Sequence, residues 1–266
     1  MSTLVCFHAH PDDEAIATGG IMLRAARAGH RVVLVCATRG EHGEPQEGVL
    51  NEGEQLWERR MVELATACEI LGSEPPIWLG YKDSGMIGEP TNDDPECFWQ
   101  ADHNEAVARF AAILKDVDAD VVTIYDDNGG YGHPDHIQVH RVGLAAARLC
   151  GIENVYESTI NRTRAMEMMA QAAELGLMEE GDAPDLDNDP DFGMLEEDIS
   201  FNVDVSDVAS EKRAAIAAHR SQVGPDSFFL KMPDEIFGHV FGTESFALPG
   251  VRGTGGPVAV DVLPGL

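Results

Sequence analysis

Apolar residues along this chain follow two alternating rhythms. Short, almost unbroken apolar runs occur at residues 4–7, 32–37, 77–79, 120–125 and 155–160. Between them, residues 14–29, 54–71, 104–115 and 133–150 show the 3.6-residue spacing of helices. Gly72 and Gly151 directly follow two of these stretches, where a left-handed residue commonly ends a helix. Strands without polar alternation are buried on both faces, and their alternation with helices indicates parallel pairing. The pattern predicts an α/β fold: a Rossmann-like, open, mostly parallel sheet with helices on both faces.

The rhythm weakens after residue 165. Residues 201–205 alternate like a strand and residues 208–221 look helical. Residues 179–198 carry ten acidic side chains and no Lys or Arg, which reads as a solvated loop or flap. There the spacing of Asp185, Asp187 and Asp189 with Glu196 is similar to a calcium loop, but Pro190 stands where that loop needs Gly. The tail from Pro249 is rich in Gly and Pro and reads as irregular. With no internal repeat, the 266 residues are expected to form one domain, a catalytic α/β core at 1–165 and a C-terminal part at 166–266.

Composition narrows the function. The formal net charge is −29 with only four lysines, so nucleic acid and anionic membrane are poor partners. No apolar run reaches the length of a membrane span. Residues 1–7 lack basic side chains and read as strand, so no signal peptide is visible. The five cysteines form no Cys-x-x-Cys pair. Reduced core thiols and a cytoplasmic location are expected.

The chemistry concentrates in two turns. His8-Ala-His-Pro-Asp-Asp-Glu14 follows the first apolar run. In an open parallel sheet the first strand-to-helix turn is a ligand-binding position, where dinucleotide binders carry Gly-x-Gly-x-x-Gly. Two histidines and two adjacent aspartates suit a metal ion instead. Tyr125-Asp-Asp-Asn-Gly-Gly-Tyr-Gly-His-Pro-Asp-His136 follows a later strand and opens a helix, with His140 one turn on. Two His-Pro-Asp turns, each after a strand, are hard to explain as core packing. Zinc hydrolysis needs about three protein ligands and one open position. His10 and Asp13, three apart, can converge, while Asp12 between them points elsewhere and is free to act as a base. His133, His136 or His140 could supply the third ligand; spacing does not choose among them.

These motifs resemble the signature of the LmbE/PIG-L family of zinc-dependent N-deacetylases, most closely its actinobacterial branch of mycothiol biosynthesis deacetylases and mycothiol S-conjugate amidases. Gly40-Glu-His-Gly-Glu44, Arg60-x-x-Glu-Leu64 and Asp83-Ser-Gly-Met86 extend the resemblance, which covers residues 3 to about 160. It implies that His10, Asp13 and His136 bind zinc, a site that other divalent transition metals could share. It implies Asp12 as general base, Tyr131 and His133 as stabilisers of the oxyanion and leaving amine, and Asp135 as the residue orienting His133. Its sugar-contacting residues fall on Arg60 and Asp83, although a helix-face ion pair of Arg60 with Glu63 or Glu54 is an equally ordinary reading.

The resulting expectation is a metal-dependent hydrolase that removes an N-acetyl group from an amino-sugar conjugate. The alternatives are a zinc amidase cleaving a larger amide, such as a mycothiol S-conjugate, and, more distantly, a non-catalytic sugar- or metal-binding module. The implied partner is a small N-acetyl amino sugar; a homo-oligomer is compatible with the chain.

Overall fold

The computed structural model describes residues 1–174 and 192–266. The first strand, β1 (Thr3–His8), is buried along its whole length, as its unbroken apolar run requires of a central parallel strand. A one-turn π-helix, Glu14–Thr18, leads into α1 (Gly19–Arg27), where a single α-helix over residues 14–29 was expected. Then come β2 (Arg31–Cys36), α2 (Leu56–Leu71), the two-residue β3 (Ile77–Trp78), α3 (His103–Asp116), β4 (Val121–Tyr125), α4 (Pro134–Cys150) and β5 (Asn154–Thr159). Local chemistry sets the ends. Gln55 and Glu58 form a reciprocal capping box at the start of α2, and Gly72 closes it at φ +71°.

The chain continues through α5 (Arg162–Glu174), β6 (Phe201–Asp204), α6 (Ala209–Ala218), α7 (Phe228–Lys231), α8 (Asp234–Phe241), β7 (Thr243–Ala247) and β8 (Val258–Val260). The eight strands among the described residues form one sheet in the order β3-β2-β1-β4-β5-β7-β6-β8. Among the described strands only β7 runs antiparallel to its neighbours. The expected mostly parallel sheet is therefore present, with an antiparallel insertion that the sequence did not announce. The tail is not wholly irregular either: β8 pairs with β6 in parallel. It is a three-residue edge strand with Val258 and Ala259 exposed, so no hydrophobic alternation marks it. Asp185, Asp187 and Asp189 lie outside the described residues.

Alternate residues of each central strand feed two cores. Leu4, Cys6, Leu34 and Cys36 face α1, α2 and α6 through Ile21, Met22, Leu64 and Ile216. Val5, Phe7, Val33 and Val35 face α3 and α4 through Phe110, Leu114, Val139 and Val142. Helices thus cover both faces. From β1 the sheet extends through β2 on one side and β4 on the other, so the topological switch point lies between β1 and β4. Ligands bind outside the carboxyl ends of the strands at such a point.

Candidate active site

The chain leaves β1 at His8 and turns sharply through residues 9–13. Asp12 has φ +100°, an unusual backbone for a residue with a Cβ and a cost of about 1–3 kcal/mol that the surroundings must offset. Its N–H donates to Glu14 Oε2 at 2.9 Å, and its carbonyl accepts from the amides of Ala15 and Ile16. The His10 amide donates to Asp13 Oδ2 at 2.8 Å, which folds the Asp13 carboxylate back over the His10 ring.

The second turn leaves β4 at Tyr125. Asp126 Oδ1 accepts from the amides of Asn128 and Gly130 and winds the loop. Gly129 sits at φ +67°, and a Cβ there would stand 2.5 Å from that of His136, so only glycine fits. His133 caps α4, its Nδ1 accepting from the Asp135 amide at 3.1 Å. That bond leaves the neutral ring's proton on Nε2. Burial, then the neighbouring His10 and His136, pulls the His133 pKa down to about 3, so the ring is neutral. One turn on, His136 Nδ1 meets the Gly129 carbonyl at 3.1 Å, and Tyr125 stacks on its ring at 4.1 Å.

The two turns converge on one oxygen. Asp13 Oδ2 lies 3.5 Å from His10 Nδ1 and 3.4 Å from His136 Nε2. Ligands held tetrahedrally at ~2.0–2.1 Å from a metal stand about 3.3–3.4 Å apart. The far nitrogen of each ring is also engaged: His10 Nε2 lies 3.1 Å from Asp135 Oδ2, and His136 Nδ1 bonds Gly129. Metal-binding histidines are characteristically oriented in this way. His10, Asp13 and His136 could therefore hold a divalent ion. Among the described residues the donor atoms that all lie within 4.8 Å of one another are those of His10 with His133 and His136, and of His10 with Asp83 and Asp135; Asp13 joins two of these imidazoles through its Oδ2 contacts with His10 and His136. Both groupings draw on groups with other partners, because His133 Nδ1 accepts from an amide and the Asp135 carboxylate is bonded to His10 and Ser84. His140 points elsewhere, its Nδ1 on the Tyr125 carbonyl and 3.5 Å from Glu157.

The electrostatics favour a cation. Burial works against a charged His10, but the carboxylates of Asp83, Asp13 and Asp135 outweigh it and push the ring well above its ordinary value. Burial would likewise raise Asp13, yet His136 and His10 hold its carboxyl well below the usual range.

The remaining predicted residues lie around this point. Burial pushes Asp12 up to about 6, against the opposing charge of Arg60. Arg60 is buried and bonds neither Glu63 nor Glu54. It donates to the Gly40 and Pro11 carbonyls and lies 3.3 Å from Asp12 Oδ2, whereas Glu54 pairs with Arg59 and Glu63 accepts from Ser221. Asp83 accepts from the Gly85 and His42 amides and stands 3.5 Å from His10 Nε2. The ring of Tyr131 is exposed, but its hydroxyl turns inward, 3.4 Å from His136 Nε2; burial, then the Asp13 carboxylate, keeps it protonated. Asp135 departs from expectation. Its backbone amide, not its carboxylate, contacts His133; the carboxylate takes His10 and both the amide and hydroxyl of Ser84. Its carboxylate is taken up by groups from distant segments, His10 after β1 and Ser84 beyond β3, so the docking of α4 against them sets its direction.

His10, Asp12, Asp13, Arg60, Asp83, Tyr131 and His133 line one open pocket of about 270 Å³. His42, Met86 and Glu89 line it as well. Residues from the C-terminal part also meet the site, and nothing in their local sequence marks them. His219 reaches Glu14 behind Asp12, and the Gly193 amide donates to the Gly130 carbonyl beside Tyr131.

The family model for PIG-L, GlcNAc-PI de-N-acetylase, matches residues 5–147, more than half of the sequence and both turns. The chain belongs to the PIG-L family. Among relatives of this PIG-L protein, a 1D-myo-inositol 2-acetamido-2-deoxy-alpha-D-glucopyranoside deacetylase of Acidothermus cellulolyticus is 40% identical over 96% of this chain and 90% of its own. A protein of the same name from Geodermatophilus obscurus is 38% identical over 99% of this chain and 97% of its own. The crystal structure of N,N'-diacetylchitobiose deacetylase from Pyrococcus horikoshii shares the fold, with TM-score 0.61 at 23% identity over 94% of this chain and 84% of that one.

Proposed function

We propose that this protein hydrolyses the N-acetyl amide of an amino-sugar conjugate, and that an inositol-linked N-acetylglucosamine, the substrate class named for its relatives, is what it accepts. The observation that carries the reading is the single Asp13 oxygen standing at tetrahedral ligand spacing from two oriented histidines, with Asp12 beside it in the same pocket. A two-histidine, one-carboxylate donor set fits zinc. Bound there, the ion would lower the pKa of water to about 7 and polarise the amide carbonyl.

The protein's own groups supply the rest. Asp12 takes the proton from the attacking water, and its raised pKa suits a base working near neutrality. The Tyr131 hydroxyl and the neutral His133 Nε2–H donate to the carbonyl oxygen as negative charge develops on it. The amine leaves only with a proton, which Asp12 returns or His133 supplies. Asp83, which lines the pocket, accepts from sugar hydroxyls on this reading; Arg60, also lining the pocket, reaches the same space through Asp12.

Among the described residues no helix is long and apolar enough to cross a membrane. The five cysteines are all unpaired, which supports a reducing, cytoplasmic setting. The test is a panel of N-acetyl sugars and one larger S-conjugate amide, each incubated with zinc-reconstituted protein and assayed for free amine. Release of amine from the inositol-linked sugar in preference to the others is expected. Turnover of the S-conjugate alone would replace the reading with that of an amidase, and no turnover of any would leave a binding module.

A further inference from the structure

Behind Asp12 stands a buried chain of contacts that the proposed mechanism does not use. The Glu14 carboxylate is inaccessible to solvent. Its Oε2 accepts the Asp12 amide at 2.9 Å, and its Oε1 meets His219 Nε2 at 2.7 Å. His219 is equally buried and lies just past the end of α6, more than two hundred residues away along the chain. The stretch that carries it is fastened to the catalytic half at two further points. Ser221 donates through its amide and hydroxyl to Glu63, and the Gln46 amide donates to the Ser221 carbonyl at 2.8 Å.

Two observations argue for a role beyond packing. The first is His219 Nδ1, a buried ring nitrogen with no hydrogen-bond partner among the described residues. Leaving such an atom unpaired is unfavourable, and a buried ion pair is often no more stabilising than an apolar pair of the same shape. As a stability device the residue is poorly chosen. The second is what Glu14 holds. Asp12 keeps a positive φ, and the direction of its N–H, and with it that of its side chain, depends on the acceptor that fixes the peptide.

We propose that His219, acting through Glu14, is a positioning residue for Asp12, so that the C-terminal part of the chain sets the aim of the catalytic base. The inference rests on the reading of Asp12 as the base. The His219 side chain hydrogen-bonds to Glu14 and to none of the proposed metal ligands or pocket-lining residues, and reaches Asp12 and Arg60 only through longer-range charge. Its loss is expected to leave substrate affinity and metal binding intact and to lower the chemical step. A displacement of about 1 Å at a catalytic group can reduce rate by ~10²-fold.

The experiment compares His219→Leu, His219→Gln, Glu14→Gln and Asp12→Asn, and the double variant of Asp12→Asn with His219→Leu. Each is zinc-loaded and assayed on the N-acetyl sugar that the wild type turns over best, with metal content and thermal midpoint measured on the same samples. For His219→Leu we expect kcat to fall ~10–100-fold, with KM within about twofold and zinc stoichiometry unchanged. His219→Gln, which can still present an N–H to Glu14, recovers most of that loss. The double variant is no slower than Asp12→Asn alone, because an absent base cannot be mis-aimed.

Wild-type kcat in His219→Leu, or a loss that adds in full to that of Asp12→Asn, overturns the inference while leaving the base assignment standing. Wild-type activity in Asp12→Asn overturns the base assignment and the inference with it. Should His219→Leu fail to fold, Glu14→Gln carries the same test: a lowered kcat at unchanged KM and zinc is expected, and full kcat overturns the proposal.

Discussion

Asp135 Oδ2 lies 3.1 Å from Nε2 of His10. A carboxylate on the far nitrogen of a metal-binding imidazole fixes the ring's orientation and strengthens it as a ligand. The Asp135 carboxylate is held in turn by the Ser84 amide and hydroxyl. Asp135→Asn should therefore weaken metal binding about 10–100-fold, the usual consequence of losing such a partner. Competition against a chromophoric zinc chelator measures this. Unchanged affinity would return Asp135 to a role on His133.

The histidines of the second turn should separate cleanly. His136→Ala removes a group 3.4 Å from Asp13 Oδ2, and the protein should lose most of its zinc. His133→Ala removes a ring whose Nδ1 is occupied by an amide, and the protein should keep its zinc while kcat falls ~10²-fold or more. Metal analysis of the two purified variants decides the matter, and the reverse pattern would exchange their roles.

Arg60 and Asp83 should respond differently. The Arg60 guanidinium opposes the burial that raises Asp12, so Arg60→Gln should push the Asp12 pKa further up. Because the proposed base works deprotonated, the acidic limb of the kcat/KM profile should move to higher pH. Asp83→Ala should mainly raise KM, with metal content normal. A limb that stays in place, accompanied by a raised KM in Arg60→Gln, would instead make Arg60 a direct sugar contact.

Away from the site, burial raises Glu157 from 4.5 to about 7, although Arg252 opposes it at 3.1 Å. Between these values the unfolded chain has released the proton and the folded protein keeps it, so stability falls as pH rises. The full shift corresponds to roughly 3 kcal/mol. Glu157→Gln, which is neutral throughout, should lack this contribution. The difference between the thermal midpoints of variant and wild type should widen in favour of the variant from pH 4.5 to 7.5; a constant difference would mean that Glu157 is already ionised at low pH.

Local signals carried the central architecture. The unbroken runs at β1, β2 and β4, the helical stretches at α2, α3 and α4, and the glycines at 72 and 151 all lie where the apolar rhythm placed them, because core burial on a strand or helix leaves a periodic trace. The two His-Pro-Asp turns were equally legible, since each packs its donors into a few consecutive residues next to an element end. The elements that escaped notice carry no such trace. β7 includes Glu244, a buried carboxylate paired with Lys212 and capping the start of α1, which breaks the apolar pattern expected of an internal strand.

Periodicity and motif spacing identify the fold class, the sheet edge that carries the chemistry, and the residue types available there. Which of them meet is settled by how the distant segments pack. Parallel pairing of β1 with β4, with Leu4 opposite Val121, brings Asp13 and His136 within 3.4 Å across more than a hundred residues. The cap of α4 turns His133 toward its own backbone and hands the Asp135 carboxylate to His10. Arg60 settles on Asp12 rather than on its helix neighbours, and His219 arrives behind Glu14 from the far end of the chain. Spacing constrains only residues within a turn or two of one another. Contacts between distant polar groups depend on strand register and helix docking, which are set by the packing of the whole sheet and leave no mark at the residues they unite.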